Sequence, residues 1–110
     1  MIVSITGNQV SYITSAGGAG FIIGSFNNGT LIISLIDNQL STLSAVDGIF
    51  IGKTSTGNIC ATVIGNNTGF PNTLENDNVS GTFTLDPSSG DNTPLLNFTG
   101  PGPITIGSCP

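Results

Sequence analysis

Short alternating strands recur along this chain in matching columns, and that recurrence is what most limits the folds open to it. A first strand reads Val3-Ser4-Ile5-Thr6-Gly7. It returns as Ile33-Ser34-Leu35-Ile36-Asp37, Ala61-Thr62-Val63-Ile64-Gly65 and Leu96-Asn97-Phe98-Thr99-Gly100. A second strand reads Phe21-Ile22-Ile23-Gly24. It returns as Ile49-Phe50-Ile51-Gly52, Phe83-Thr84-Leu85-Asp86 and Ile104-Thr105-Ile106-Gly107. Side chains alternate between the two faces of a strand. One face of every copy is therefore apolar, and the other is mainly small and polar.

The spacing separates two architectures. Steps from the second strand of one unit to the first strand of the next, Ile23 to Ile33, Ile51 to Ala61 and Leu85 to Leu96, are 10, 10 and 11 residues. Steps within a unit, Ile5 to Phe21, Leu35 to Ile49, Val63 to Phe83 and Phe98 to Ile104, are 16, 14, 20 and 6. One corner is fixed and the other varies, as in a solenoid whose rungs keep register while loops on one side change length. The fixed corner carries turn residues: Asn27-Asn28-Gly29-Thr30, Ser55-Thr56-Gly57-Asn58 and Ser89-Gly90-Asp91-Asn92. Asn8-Gln9-Val10-Ser11 and Asn38-Gln39-Leu40-Ser41 match on the variable side and suggest a third strand in the first two units. The pattern predicts an all-β parallel β-helix of about four coils in a single domain, with coils near 2–30, 31–58, 59–92 and 93–110. An antiparallel β-sandwich is the alternative, because hairpins also alternate short and long links.

About half the chain is Ser, Thr, Asn or Gly, whereas charged residues are 6%. One Lys against six acids gives a net charge of −5, which cannot neutralise phosphates, so nucleic acid is excluded as a partner. No apolar run is long enough for a transmembrane helix, and the N-terminus lacks the basic and apolar regions of a signal peptide. The chain begins on a strand, so Met1 is expected to start an excised segment or a processed boundary. The N-terminal end looks cut and the Pro-rich C-terminal end looks finished, which suggests the C-terminal part of a longer protein.

The strands Gly48-Ile49-Phe50-Ile51-Gly52 and Gly81-Thr82-Phe83-Thr84-Leu85, the Asn-Gln-Val/Leu-Ser turns, the Asn58-Ile59-Cys60-Ala61-Thr62-Val63 segment and the closing Gly107-Ser108-Cys109-Pro110 carry a family resemblance. They resemble the right-handed parallel β-helix repeat regions of large bacterial surface and secreted proteins of adhesin or passenger type. The likeness covers nearly the whole chain. It implies a right-handed helix and a stalk, an adhesive module or a carbohydrate-facing surface, outside the cell or on its surface. Two further roles are kept beside it: a subunit that stacks end to end into an oligomer or filament, and a carbohydrate-binding or carbohydrate-processing module. The expected partners are the remainder of a larger chain or identical subunits, with glycans third.

Candidate chemistry is sparse. There is no His to act as a base, so Ser/His/Asp and Cys/His catalysis are excluded. Asp37, Asp47 and Asp86 read as turn or strand-end residues rather than as a glycosidase pair. No catalytic residue, cofactor or metal site is expected. Glu75-Asn76-Asp77-Asn78, with Asp86 and Asp91, offers hard oxygen ligands of the kind calcium takes, but lacks a calcium-loop frame and reads as a solvated loop. Lys53 reads as an exposed turn residue. Four Asn-x-Ser/Thr sequons, at Asn28, Asn66, Asn78 and Asn97, are no more than chance supplies. Cys60 and Cys109 form either one disulfide or two buried thiols. Two rungs of about 4.8 Å separate them, so a bridge requires the tail to turn back. Ile22, Phe50, Ile36 and Ile64 fall on outward columns and form a possible contact face.

Overall fold

The computed structural model describes residues 1–12, 19–25, 28–42 and 47–110. They form eleven strands and no helix: β1 (Ile2–Thr6), β2 (Gln9–Tyr12), β3 (Ala19–Ser25), β4 (Thr30–Ile36), β5 (Gln39–Thr42), β6 (Asp47–Lys53), β7 (Asn58–Ile64), β8 (Asn72–Asn76), β9 (Phe83–Leu85), β10 (Leu96–Thr99) and β11 (Thr105–Ile106). Three sheets result, ordered β1-β4-β7-β9-β11, β3-β6-β8-β10 and β2-β5. Isolated bridges Gln39↔Asn67 and Asn67↔Thr93 continue the small third sheet. Every strand pair is parallel. That overturns the antiparallel sandwich, because hairpin links would give antiparallel ladders.

Register explains the core. Val3, Ile33, Ala61, Leu85 and Ile106 align across the first sheet. Ile23, Ile51, Leu74 and Phe98 align across the second. Alternation turns Ile33, Leu35, Ala61, Val63, Phe83 and Leu85 from one sheet toward Ile49, Ile51 and Leu74 from the other. All nine are buried in one cluster.

Three strand assignments differ from the sequence reading, and one of them is Thr105–Ile106, expected with the second strand but paired with β9 in the first sheet. Phe83–Leu85 pairs with β7 in the first sheet, and Leu96–Thr99 pairs with β8 in the second, so their expected places are exchanged. The cause is β8, which the reading passed over as loop. Its buried positions are Asn72, Thr73, Leu74 and Asn76, only one of them apolar, so hydrophobic alternation does not reveal it. With β8 in place, the third return to the first sheet begins at Phe83, not at 93. The near-constant corner then runs Ile23 to Ile33, Ile51 to Ala61 and Leu74 to Leu85.

Candidate functional site

Four asparagines stack at the corner that follows the first sheet. Asn8 donates from Nδ2 to Asn38 Oδ1 at 3.0 Å, Asn38 to Asn66 Oδ1 at 2.9 Å, and Asn66 to Asn92 Oδ1 at 2.9 Å. Each backbone N–H follows the same route, from Asn8, Asn38 and Asn66 to the next carboxamide. The second Nδ2 hydrogen goes to a main-chain carbonyl: Asn38 to Ile5, Asn66 to Leu35 and Asn92 to Val63. Asn38 and Asn66 thus use both lone pairs and both hydrogens. They are 1% and 0% exposed, a burial tolerable only because the network is complete.

The residue before each ladder asparagine is left-handed: Gly7 (φ 65°), Asp37 (53°), Gly65 (65°) and Asp91 (54°). Gly, and less readily Asp, accept that conformation. The turn aims each carboxamide along the stack. It accounts for Asp37 and Asp91 as turn residues, as the reading of Asp37 expected. Asp91-Asn92 belongs to this corner and not to the fixed corner where the sequence reading placed it. The repeating dipeptide, Gly or Asp followed by Asn, was the signal that could have exposed all four positions. Asn66 is also a formal sequon, but its amide is committed to the ladder.

At the end of the second sheet, Lys53 stands opposite Asn76 in register. The expectation of an exposed lysine is corrected: Lys53 is fully buried. Alternation turns it inward beside Ile51, and the 77–81 segment closes over it. Its Nζ donates to the carbonyls of Ser80 (2.5 Å), Asn78 (2.7 Å) and Ser55 (2.9 Å), and lies 3.4 Å from Asn76 Oδ1. All four acceptors are uncharged. Burial pushes the ammonium below the ordinary lysine range. Asn76 Nδ2 in turn donates to Pro103 O at 2.7 Å, tying this corner to the next circuit.

On the outward side of the second sheet, Glu75 is held above the usual carboxylate range. Partial burial is the main cause, with a hydrogen bond and like charge from Asp77 and a smaller contribution from Asp47. Glu75 is a strand residue in β8, so not every acid lies in a loop or at a strand end. Asp86 faces elsewhere. Its carboxylate accepts from Cys109 N–H at 2.9 Å and from Ser88, which lowers its pKa. The six-residue calcium grouping is therefore not assembled, and no three acidic or thiol groups converge as a metal site among the described residues.

The tail turns back as a bridge requires. Cys60 and Cys109 are disulfide-bonded with Cα atoms 5.5 Å apart, although β9 lies between β7 and β11. The four residues that the sequence places on outward columns fall into two register pairs: Ile36↔Ile64 in the first sheet and Ile22↔Phe50 in the second. The core lies between those sheets, so the pairs occupy different faces. The Phe50 ring also folds over Gly52, where a methyl group would meet it at 2.7 Å.

The chain matches no family model, and no curated protein or solved structure is significantly similar to it. No helix among the described residues is long and apolar enough to cross a membrane.

Proposed function

We propose that this chain is a right-handed parallel β-helix serving as a structural or adhesive module of an extracellular or cell-surface protein, without catalytic activity. One observation carries the reading: an asparagine ladder and two apolar columns run together through the successive circuits. Buried residues are thereby spent on continuity between circuits. The Cys60–Cys109 bridge supports an oxidising compartment. Incubation with a panel of neutral and acidic polysaccharides is expected to release no reducing ends and no unsaturated products, and either product would overturn the non-catalytic reading. A crystal structure with left-handed circuits would overturn the fold.

A second reading, a self-stacking subunit, is favoured by apolar exposure at both ends. Met1 and Ile2, at the start of β1, are 79% and 76% exposed, and Leu95, Phe98 and Ile106 are 80%, 49% and 61% exposed at the other end. Open strand edges there are templates for pairing. Analytical ultracentrifugation over a concentration series tests it, and a monomer under all redox conditions would sink it.

A further inference from the structure

The C-terminal end is stepped. β11 adds a two-residue strand beyond β9 in the first sheet, whereas the second sheet ends on β10, one level lower. A flush neighbour cannot sit there while β11 is in place. Without β11, the last level would consist of β9, the Thr93 bridge and β10. Those three elements follow the same sheet order as β1, β2 and β3 at the opposite end.

The two ends also complement each other chemically. Among the described residues no donor reaches Asn8 Oδ1. Asn92 gives one Nδ2 hydrogen to Val63 O, while its backbone N–H and second Nδ2 hydrogen have no acceptor there. These are the partners that every internal step of the ladder joins. The columns continue equally well, with Val3 falling next to Leu85 and Ile23 next to Phe98.

Apart from its covalent link, β11 is held by few contacts: Ile104 packs against the core and Thr105 Oγ1 reaches Phe83 O at 3.5 Å. Its ladder to β9 spans two residues, and beyond it Gly107 N–H reaches Leu85 O at 3.0 Å and Cys109 N–H reaches Asp86. The Cys60–Cys109 bridge then fastens the tail over the outward side of β9.

We propose that residues 104–110 are a redox-released cap, and that the end beneath them takes the β1–β3 end of a second copy of this chain. The inference rests on the self-stacking reading. A dithiol reductant supplies two electrons and two protons, leaving Cys60 and Cys109 as thiols and itself as a cyclic disulfide. Because the contact is head-to-tail, assembly need not stop at two copies.

Light scattering coupled to size-exclusion chromatography, on the full chain with and without dithiothreitol, tests this. The oxidised chain is expected at monomer mass, with the reduced chain and Cys109→Ser shifted to dimers and larger species. Asn8→Ala, which removes the ladder acceptor, is expected to weaken association of the reduced chain by roughly tenfold. An oxidised chain that already associates overturns the cap and leaves self-stacking standing. A reduced chain and C109S that both stay monomeric, with strand circular dichroism unchanged, overturn the cap and the self-stacking reading together. Loss of strand signal in both also overturns the cap, because the bridge would then hold the circuits themselves.

Discussion

Asn38 donates from Nδ2 to Asn66 Oδ1 at 2.9 Å although 28 residues separate them, and both side chains are shut away from solvent. Their carboxamides close each other's valences, so neither can be lost without stranding the other.

The middle of the ladder is therefore its costly point. Asn66→Leu takes the side-chain donor away from Leu35 O and Asn92 Oδ1, leaving the latter only the main-chain N–H of position 66, and strands two Asn38 donors in the interior. Destabilisation of about 3 kcal/mol is expected, lowering the melting temperature by roughly 10–15 °C. Asn8→Ala, at the exposed end, should cost under about 1 kcal/mol. Thermal melts followed by circular dichroism measure both, and equal losses would refute a ladder-centred account.

Glu75 predicts a pH dependence opposite to the usual acidic one. Its folded pKa lies above the unfolded value of 4.5, so the folded chain holds this proton longer. Its contribution is favourable below the unfolded value and is lost as pH rises through the folded value. Glu75→Gln should thus match the parent below pH 4.5 and exceed it near neutrality by about 0.5–1 kcal/mol. Urea unfolding at the two pH values decides. Asp86 works in the other sense: its contribution is present above 3.8 and lost as pH falls through its lowered folded value.

Gly81 and Gly69 separate backbone strain from collision. Both are left-handed, at φ 72° and 70°. A methyl group at Gly81 would lie 2.2 Å from Gly57 O, whereas at Gly69 nothing lies within 4 Å. Gly69→Ala is expected to cost about 1 kcal/mol from conformation alone. Gly81→Ala should cost at least about 3 kcal/mol, because backbone at the Lys53 cage must move. Equal melting temperatures for the two variants would contradict this.

Where burial uses apolar residues, the fold was legible. The inward columns of β1, β3, β4, β6 and β7 follow from alternation in strands such as Leu31-Ile32-Ile33-Ser34-Leu35. Where burial uses polar residues, hydropathy misleads. β8 was hidden because Asn72 and Asn76 point inward. Lys53 was misplaced because a charged side chain is rarely buried unless it is partnered, and its carbonyl partners are backbone atoms of residues that say nothing in sequence. Half of the ladder showed in the matching Asn8 and Asn38 segments. Asn66 and Asn92 escaped because the residues after them do not repeat, although the Gly or Asp before them does. Asp37 and Asp91 alternate with Gly7 and Gly65 in that column, and Asp37 Oδ1 would lie 2.2 Å from a methyl group on Gly65. Like charges are thereby kept off adjacent levels.

The buried lysine also determines how the chain meets digestive enzymes. With one Lys and no Arg, it offers trypsin-like proteases a single basic residue, and that residue is enclosed by the chain's own carbonyls. Cutting after Lys53 requires β6 to leave its sheet, so cleavage should track opening of the whole fold. Trypsin digestion across a urea series is expected to superimpose on the unfolding curve, and rapid scission in native buffer would show that the cage opens by itself. A chain of this design resists basic-specific peptidases without needing a covering of sugar.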